Sequence, residues 1–552
     1  MEQSSKYGSN IGSKDSDQPT KVTEPQTESE VKITYLETPL QSAYKYKNMG
    51  NVYFKTGKYN EAIAQYNKAI DICPKEKVND LAILYQNRSA ANEKLKKYSS
   101  VKADCTKALE LNPTYMKALL RRARALEQIG DLEAALKDMA TVCIHESFSN
   151  RTSLVTADKI FNKFVEQLAQ EYLANKEYVM LSKNFIESYT KMFSKDPVFS
   201  RLQQPENIPE FFKKPLQALK ERKYDDVIPL CTEVIKSSEF DTLPSSKFEV
   251  LLLRATFYVL LGKQDAAIKD FERVVTSKDA SEDVRINALI KRANLYAQLE
   301  ILELAHKDFD SAISINPKCS DIYHHRGVLQ INMHGLLDQA KRDFDKAVEC
   351  NPNFGAAYVQ KLDADFRIAL MSENVRSIKA AAKEYKKAFK KFPNPPESTL
   401  YYAMYAQVML ESQQFEKADT ILAAALEKDS ANANLYVLRG SLQLQWKQNV
   451  DKAIEYMKKA LEIDDKCELA YLGLGQIEME RGNLEEAITL FENVLILCRT
   501  YMQLIDMYIM INAVKIQLHV QKQLGCIPRF LQSFTGFIDV EVADRHRLCR
   551  IN

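Results

Sequence analysis

Glycine is scarce, at 15 in 552 residues, and there is one tryptophan. No glycine-rich loop of the kind that cradles phosphate is present, and the scarcity suits an all-helical array. The ten cysteines contain no C-x-x-C pair and have no histidine partner at metal-ligand spacing, which leaves no metal and no cofactor to expect. Most sit at apolar positions, for example Cys105 and Cys231, as buried thiols of a reducing compartment. Charge of one sign is missing as well. Lys plus Arg is 76 against Asp plus Glu 74, so a net charge of +2 gives no overall drive toward nucleic acid. Long hydrophobic runs are absent: Val250 to Leu261 is interrupted by Arg254 and falls short of the ~18–20 residues that a membrane span needs. No secretory signal opens the chain. Residues 1–38 are rich in Ser, Thr, Gln and charge, the composition of a disordered polar arm.

What is present is a 34-residue period. Tyr46, Met49, Gly50, Tyr53, Gly57, Tyr59, Ala62, Tyr66, Ala69 and Pro74 follow the aromatic–small–aromatic…Ala…aromatic…Ala…Pro pattern of a tetratricopeptide repeat. Tyr85, Tyr98, Cys105, Ala108 and Pro113 repeat it, and Leu119, Ala123, Leu126, Gly130, Ala135 and Met139 do so again. About seventy residues without the signature follow, to near Pro209, and then the period resumes. A weak unit at Ala218, Tyr224, Val227 and Cys231 leads into clear ones, from Leu251, Ala255, Tyr258, Gly262, Ala267 and Phe271 to Tyr471, Gly475, Gly482, Ala487 and Phe491. The unit from Tyr358 to Pro393 holds about seven extra residues between its helices. The reading is an all-α solenoid of about eleven repeats in two segments. It divides into a polar arm (1–38), a three-repeat domain (39–140), a helical linker (141–207), an eight-repeat domain ending in a capping helix near Tyr501 to Leu524 (208–526), and a tail (527–552). Phe537–Val542 alternates like a strand, but so short an alternation is more often an unstructured tail. Each unit is a helix pair that buries its apolar face only by stacking, which builds a concave inner surface.

Five polar residues fall on the inner helices of the first three repeats: Lys47, Asn51, Asn87, Lys117 and Arg121. Lys47 and Asn51 are four apart and share a helix face, as do Lys117 and Arg121. Cations and amide donors facing one hollow form a clamp for carboxylates, through charge-assisted hydrogen bonds of ~1.5–3 kcal/mol each. Taken singly, each is an ordinary solvated residue. All five types at the required positions across three consecutive repeats are not. The set does not recur: Leu252 and Thr256, Ile290 and Asn294, Ala403 and Gln407, and Leu472 and Gln476 hold the corresponding positions further on. There the inner row of Ile290, Asn294, His325, Leu329, Val359 and Asp363 mixes apolar and polar groups, a surface for an amphipathic helix. Repeat packing is the competing reading of that row. No catalytic arrangement stands out, and repeats occupy almost every residue from 43 to 524, so no enzyme is expected.

Tyr85–Ala91, Lys117–Ala123, Leu442–Gln448 and the three-plus-eight layout resemble the seventy-kilodalton receptor family of the mitochondrial outer-membrane translocase, over roughly residues 43–526. The resemblance implies a receptor at the cytosolic face of that membrane, working with other translocase subunits. Its clamp, here Lys47, Asn51, Asn87, Lys117 and Arg121, would dock the acidic C-terminal tails of cytosolic Hsp70 and Hsp90. Its C-terminal domain would receive precursor proteins with internal targeting signals, often of the carrier type. The alternative is a soluble Hsp70/Hsp90 cochaperone adaptor, which should carry two or three clamps where one is found here. The family has a transmembrane anchor before its first repeat, where this chain has a polar arm. The tail after Cys526 also differs from the family's short ending.

Overall fold

The structure, a computed structural model, describes residues 37–203, 207–332, 336–372, 375–393 and 397–524. Most of the expected polar arm and the whole of the expected tail, including Phe537–Val542, lie outside the described residues. All regular structure within them is helical, and the chain divides into two compact units, Met1–Tyr115 and Met116–Asn552.

The first unit holds two helix pairs, α1 (Pro39–Lys55) with α2 (Tyr59–Ile72) and α3 (Val78–Lys94) with α4 (Tyr98–Leu111). Thr38 and Gln41 form a reciprocal capping box around Pro39, which fixes where α1 starts. At Gly50 a Cβ would stand 2.5 Å from the Tyr66 ring, so only a residue without one lets α1 and α2 approach so closely.

The second unit opens with α5 (Met116–Ile129) and α6 (Leu132–His145), followed by α7 (Arg151–Ala174), α8 (Lys183–Thr190) and α9 (Pro197–Arg201). Eight further pairs follow. They are α10 (Glu210–Lys220) and α11 (Tyr224–Lys236), α12 (Lys247–Leu261) and α13 (Gln264–Thr276), α14 (Glu282–Gln298) and α15 (Leu302–Ile315), and α16 (Ser320–Asn332) and α17 (Leu337–Cys350). Then come α18 (Gly355–Met371) and α19 (Val375–Lys391), α20 (Glu397–Glu411) and α21 (Phe415–Lys428), α22 (Ala433–Lys447) and α23 (Val450–Ile463), and α24 (Glu468–Glu480) and α25 (Leu484–Leu497). The last helix is α26 (Tyr501–Leu524). The division between units falls earlier than the 140/141 boundary read from the sequence. α6 packs on α7, and α26 packs on α25, α7 and α6 together, so the third repeat is bound into the second unit. The expected linker therefore contributes to the core: Ala169, Tyr172 and Leu173 of α7 share one apolar cluster with Phe491, Leu504 and Ile511.

Two devices recur. The turn inside a pair needs one left-handed residue, filled by glycine at Gly57, Gly130, Gly262 and Gly482 and by Lys96, Arg222, Glu300 and Gln413 elsewhere. Within a pair, an arginine of the first helix grips a buried aspartate of the second: Arg88–Asp104, Arg122–Asp138, Arg254–Asp270, Arg292–Asp308 and Arg326–Asp343, with closest distances of 2.6–2.7 Å. From α12 to α24 the first helices of successive pairs pack side by side into one inner wall.

Candidate binding faces

In the first unit, α1 presents Lys47 and Asn51 on one face and α3 presents Asn87. All three are half-buried. The Asn51 Oδ1 accepts from the Tyr66 hydroxyl at 2.8 Å and from the Asn87 amide at 3.4 Å. These bonds use the carbonyl side of Asn51, so its amide nitrogen remains as a donor. Burial pushes the Tyr66 phenol up to about 12, so it stays protonated as the donor that orients Asn51. The Lys47 ammonium lies 4.3 Å from the centre of the Tyr44 ring, whose hydroxyl donates to Asp80 at 2.7 Å. Tyr66 was read from the sequence as a packing aromatic only. Phe271, Phe309, Phe344 and Phe491 hold the same repeat position without a hydroxyl, while Tyr385 holds it with one.

In the second unit, Lys117 and Arg121 lie one turn apart on α5, Lys117 exposed and Arg121 half-buried. The neighbouring Arg122 points to the other side and is committed to Asp138, with Nη2 to Oδ1 at 2.7 Å. Consecutive residues on a helix do not share a face, which is how one arginine serves the fold while the next faces outward.

The proposed inner row of the C-terminal repeats needs correction. Ile290, Asn294, His325, Leu329, Val359 and Asp363 are all buried, none more than 5% exposed. The reason is the chain between α7 and α10, which covers the inner wall. Ile186, Tyr189, Phe193 and Val198 share one core with Leu252, Ile290 and Leu329. Phe193 packs 4.4 Å from the His325 ring, and Asn294 contacts the His325 Nδ1 at 3.1 Å. Lys291, itself buried, donates to Asp196 at 2.7 Å and to Thr256 at 3.1 Å. The backbone amide and hydroxyl of Ser194 both donate to Asp321 at 2.7 Å, and Arg201 grips Glu249. At the other end Ser182 donates to Asp464, and Lys466 to the Met180 carbonyl. Burial lifts the Asp321 carboxyl to about 6 and holds the His324 and His325 rings well below the usual histidine range. Val359 belongs to a core shared with α20, and Asp363 is taken by Arg367 at 2.8 Å. Sequence periodicity could not show this strap, because residues 176–203 carry no repeat.

Of the corresponding positions in the last repeats, Ala403, Gln407, Ser441, Leu472 and Gln476 remain half-buried, whereas Val437 is buried. Among the described residues no group of His, Cys, Asp and Glu is arranged to hold a metal, and no helix is long and apolar enough to cross a membrane.

Stacked helix pairs with this internal pattern define a tetratricopeptide-repeat protein, and sequence models of that repeat match residues 43–76, 105–137, 248–280 and 447–496. The chain is 40% identical over 504 residues to the mitochondrial import receptor subunit TOM70 of Rattus norvegicus, spanning 89% of this chain and 81% of that one. It is 40% identical over 507 residues to the same subunit of Homo sapiens, with the same coverage. The chain belongs to the mitochondrial import receptor subunit TOM70 family. The crystal structure of yeast Tom70 covers 87% of this chain and 96% of its own at 24% identity, with a TM-score of 0.45.

Proposed function

We propose that this chain is a protein import receptor of the mitochondrial surface that takes precursors from cytosolic chaperones. Lys47, Asn51, Asn87, Lys117 and Arg121 bind the acidic C-terminal tails of Hsp70 and Hsp90. The observation that carries this reading is the orientation of Asn51 by Tyr66 and Asn87. The Tyr66 hydroxyl adds to the packing of its ring a hydrogen bond to Asn51 that a phenylalanine could not make. The Lys and Arg ammonium and guanidinium groups supply the charge, and the amides supply donors that add none. Precursors of the carrier type then meet the C-terminal repeats. Since the strap closes the wall from α12 to α16, the receiving surface is placed at the half-buried inner positions of α20, α22 and α24, around Gln407, Ser441, Leu472 and Gln476. Other translocase subunits are expected partners, and binding rather than catalysis is the activity. Capture of cytosolic Hsp90 by the full chain, with and without the last residues of Hsp90, tests the chaperone step. Intact Hsp90 should be retained and truncated Hsp90 lost. Equal retention of both overturns the reading.

A further inference from the structure

α19 departs from every other second helix of its unit. It has 17 residues, where α11, α13, α15, α17, α21, α23 and α25 have 13 or 14. In Val375–Lys391 stand seven Lys or Arg and one Glu, whereas none of those seven helices carries a net positive charge. The excess is local, since the whole chain is nearly neutral. Arg376, Lys379, Lys383, Lys386 and Lys390 follow a spacing of three and four, so they form one straight stripe about 21 Å long. All five are exposed. The opposite face is anchored: Tyr385 and Ala388 are fully buried, and the Tyr385 ring stacks on Tyr405 at 4.6 Å. The helix therefore cannot roll to hide its charge. Lys387 pairs with Glu384, and Lys391 reaches the Pro352 carbonyl. Among the described residues no carboxylate lies within ion-pair distance of Lys379, Lys383, Lys386 or Lys390.

Keeping the four like charges of Lys379, Lys383, Lys386 and Lys390 in one row is unfavourable, and an anionic surface would relieve it. Four of the five are lysines, compact point charges that read charge density, where a shaped acidic peptide is usually read by arginine forks. The row itself holds only Arg and Lys, so nothing in it selects a sequence. We propose that the α19 stripe is a docking surface for the anionic phospholipid headgroups of a bilayer, holding the second unit against the membrane without inserting into it. A bilayer presents negative charge at uniform density and asks for no other geometry, which matches a rigid row of exposed lysines. This inference stands apart from the precursor and chaperone sites.

The test is flotation of the full chain with vesicles, either phosphatidylcholine alone or phosphatidylcholine with phosphatidylglycerol. The wild type should float with the anionic vesicles, not with the neutral ones, and added salt should release it. The variant K379E/K383E/K386E/K390E should lose more than about tenfold in partitioning while keeping its helical circular dichroism. A control, K68E/K213E/K307E/K458E, makes the same charge change at scattered exposed sites and should retain most of the binding. Failure of the wild type to float, or equal loss in both variants, overturns the proposal. So does capture of polyglutamate by the stripe when anionic vesicles are ignored, which would assign it to an acidic polypeptide.

Discussion

Tyr66 does two jobs that its repeat position normally separates. Its ring fills the space left by Gly50, and its hydroxyl holds Asn51. Removing only the hydroxyl should leave the packing intact and loosen the amide. Tyr66→Phe is expected to weaken an acidic chaperone peptide by ~0.5–1.5 kcal/mol, the worth of one hydrogen bond, with little change in thermal midpoint. Calorimetric titration against the wild type reads this. Unchanged affinity would mean that Asn51 is positioned without Tyr66. The buried Arg–Asp pairs are the opposite kind of residue: Asp104, Asp138, Asp270, Asp308 and Asp343 serve the fold alone. Their signal, an arginine followed sixteen or seventeen residues later by an aspartate, was legible in the sequence. Polar residues in a repeat read first as surface, which hides it.

At the scale of elements, helix pairs were legible because each announces itself three times: in apolar spacing, in the small–aromatic contact and in the left-handed turn. The capping helix ran from Tyr501 to Leu524 as expected, although it also packs on α7 and α6. The strap was illegible for the converse reason. Its hold on the inner wall comes from long-range pairs such as Asp196–Lys291 and Ser194–Asp321, which no local pattern encodes. That buried ion pair makes a clear prediction. Asp196→Ala leaves the Lys291 ammonium buried without its charge partner and should cost ~3–5 kcal/mol of stability, seen as a lowered urea midpoint. Asp196→Leu combined with Lys291→Met removes both charges and should recover most of the loss. If the double variant is as unstable as the single one, the strap is held by something other than this pair.

For the whole molecule, the consequence of the strap is that the inner wall is not one long groove. Its first part is core and its last part is surface. Leu329→Asp should unfold the second unit rather than selectively weaken capture, because Leu329 lies in the core beneath the strap. Leu472→Asp is the informative change, since Leu472 is half-buried at the edge of the apolar cluster around Phe491. Crosslinking of a carrier-type precursor to the Leu472→Asp chain should fall by ~2 kcal/mol in apparent affinity, about thirtyfold, while chaperone-peptide binding is unchanged. Equal capture by both chains would move the precursor surface elsewhere. The sequence assigned the candidate residues to first helices, and first helices are where they lie. It could not show which of them face solvent, because exposure depends on a segment far away in the chain.

The central claim, a clamp for a terminal carboxylate, is tested most directly by one calorimetric experiment. An acidic C-terminal chaperone peptide is titrated into the wild type and into Arg121→Ala, with its terminal carboxylate free or amidated. Arg121→Ala should cost ~1.5–3 kcal/mol, tenfold or more, in a chain whose circular dichroism is unchanged. Amidation should cost the wild type a similar amount and cost the variant less, because the two changes remove the same interaction. Equal affinity for free and amidated peptide, in a folded wild type, would contradict the account.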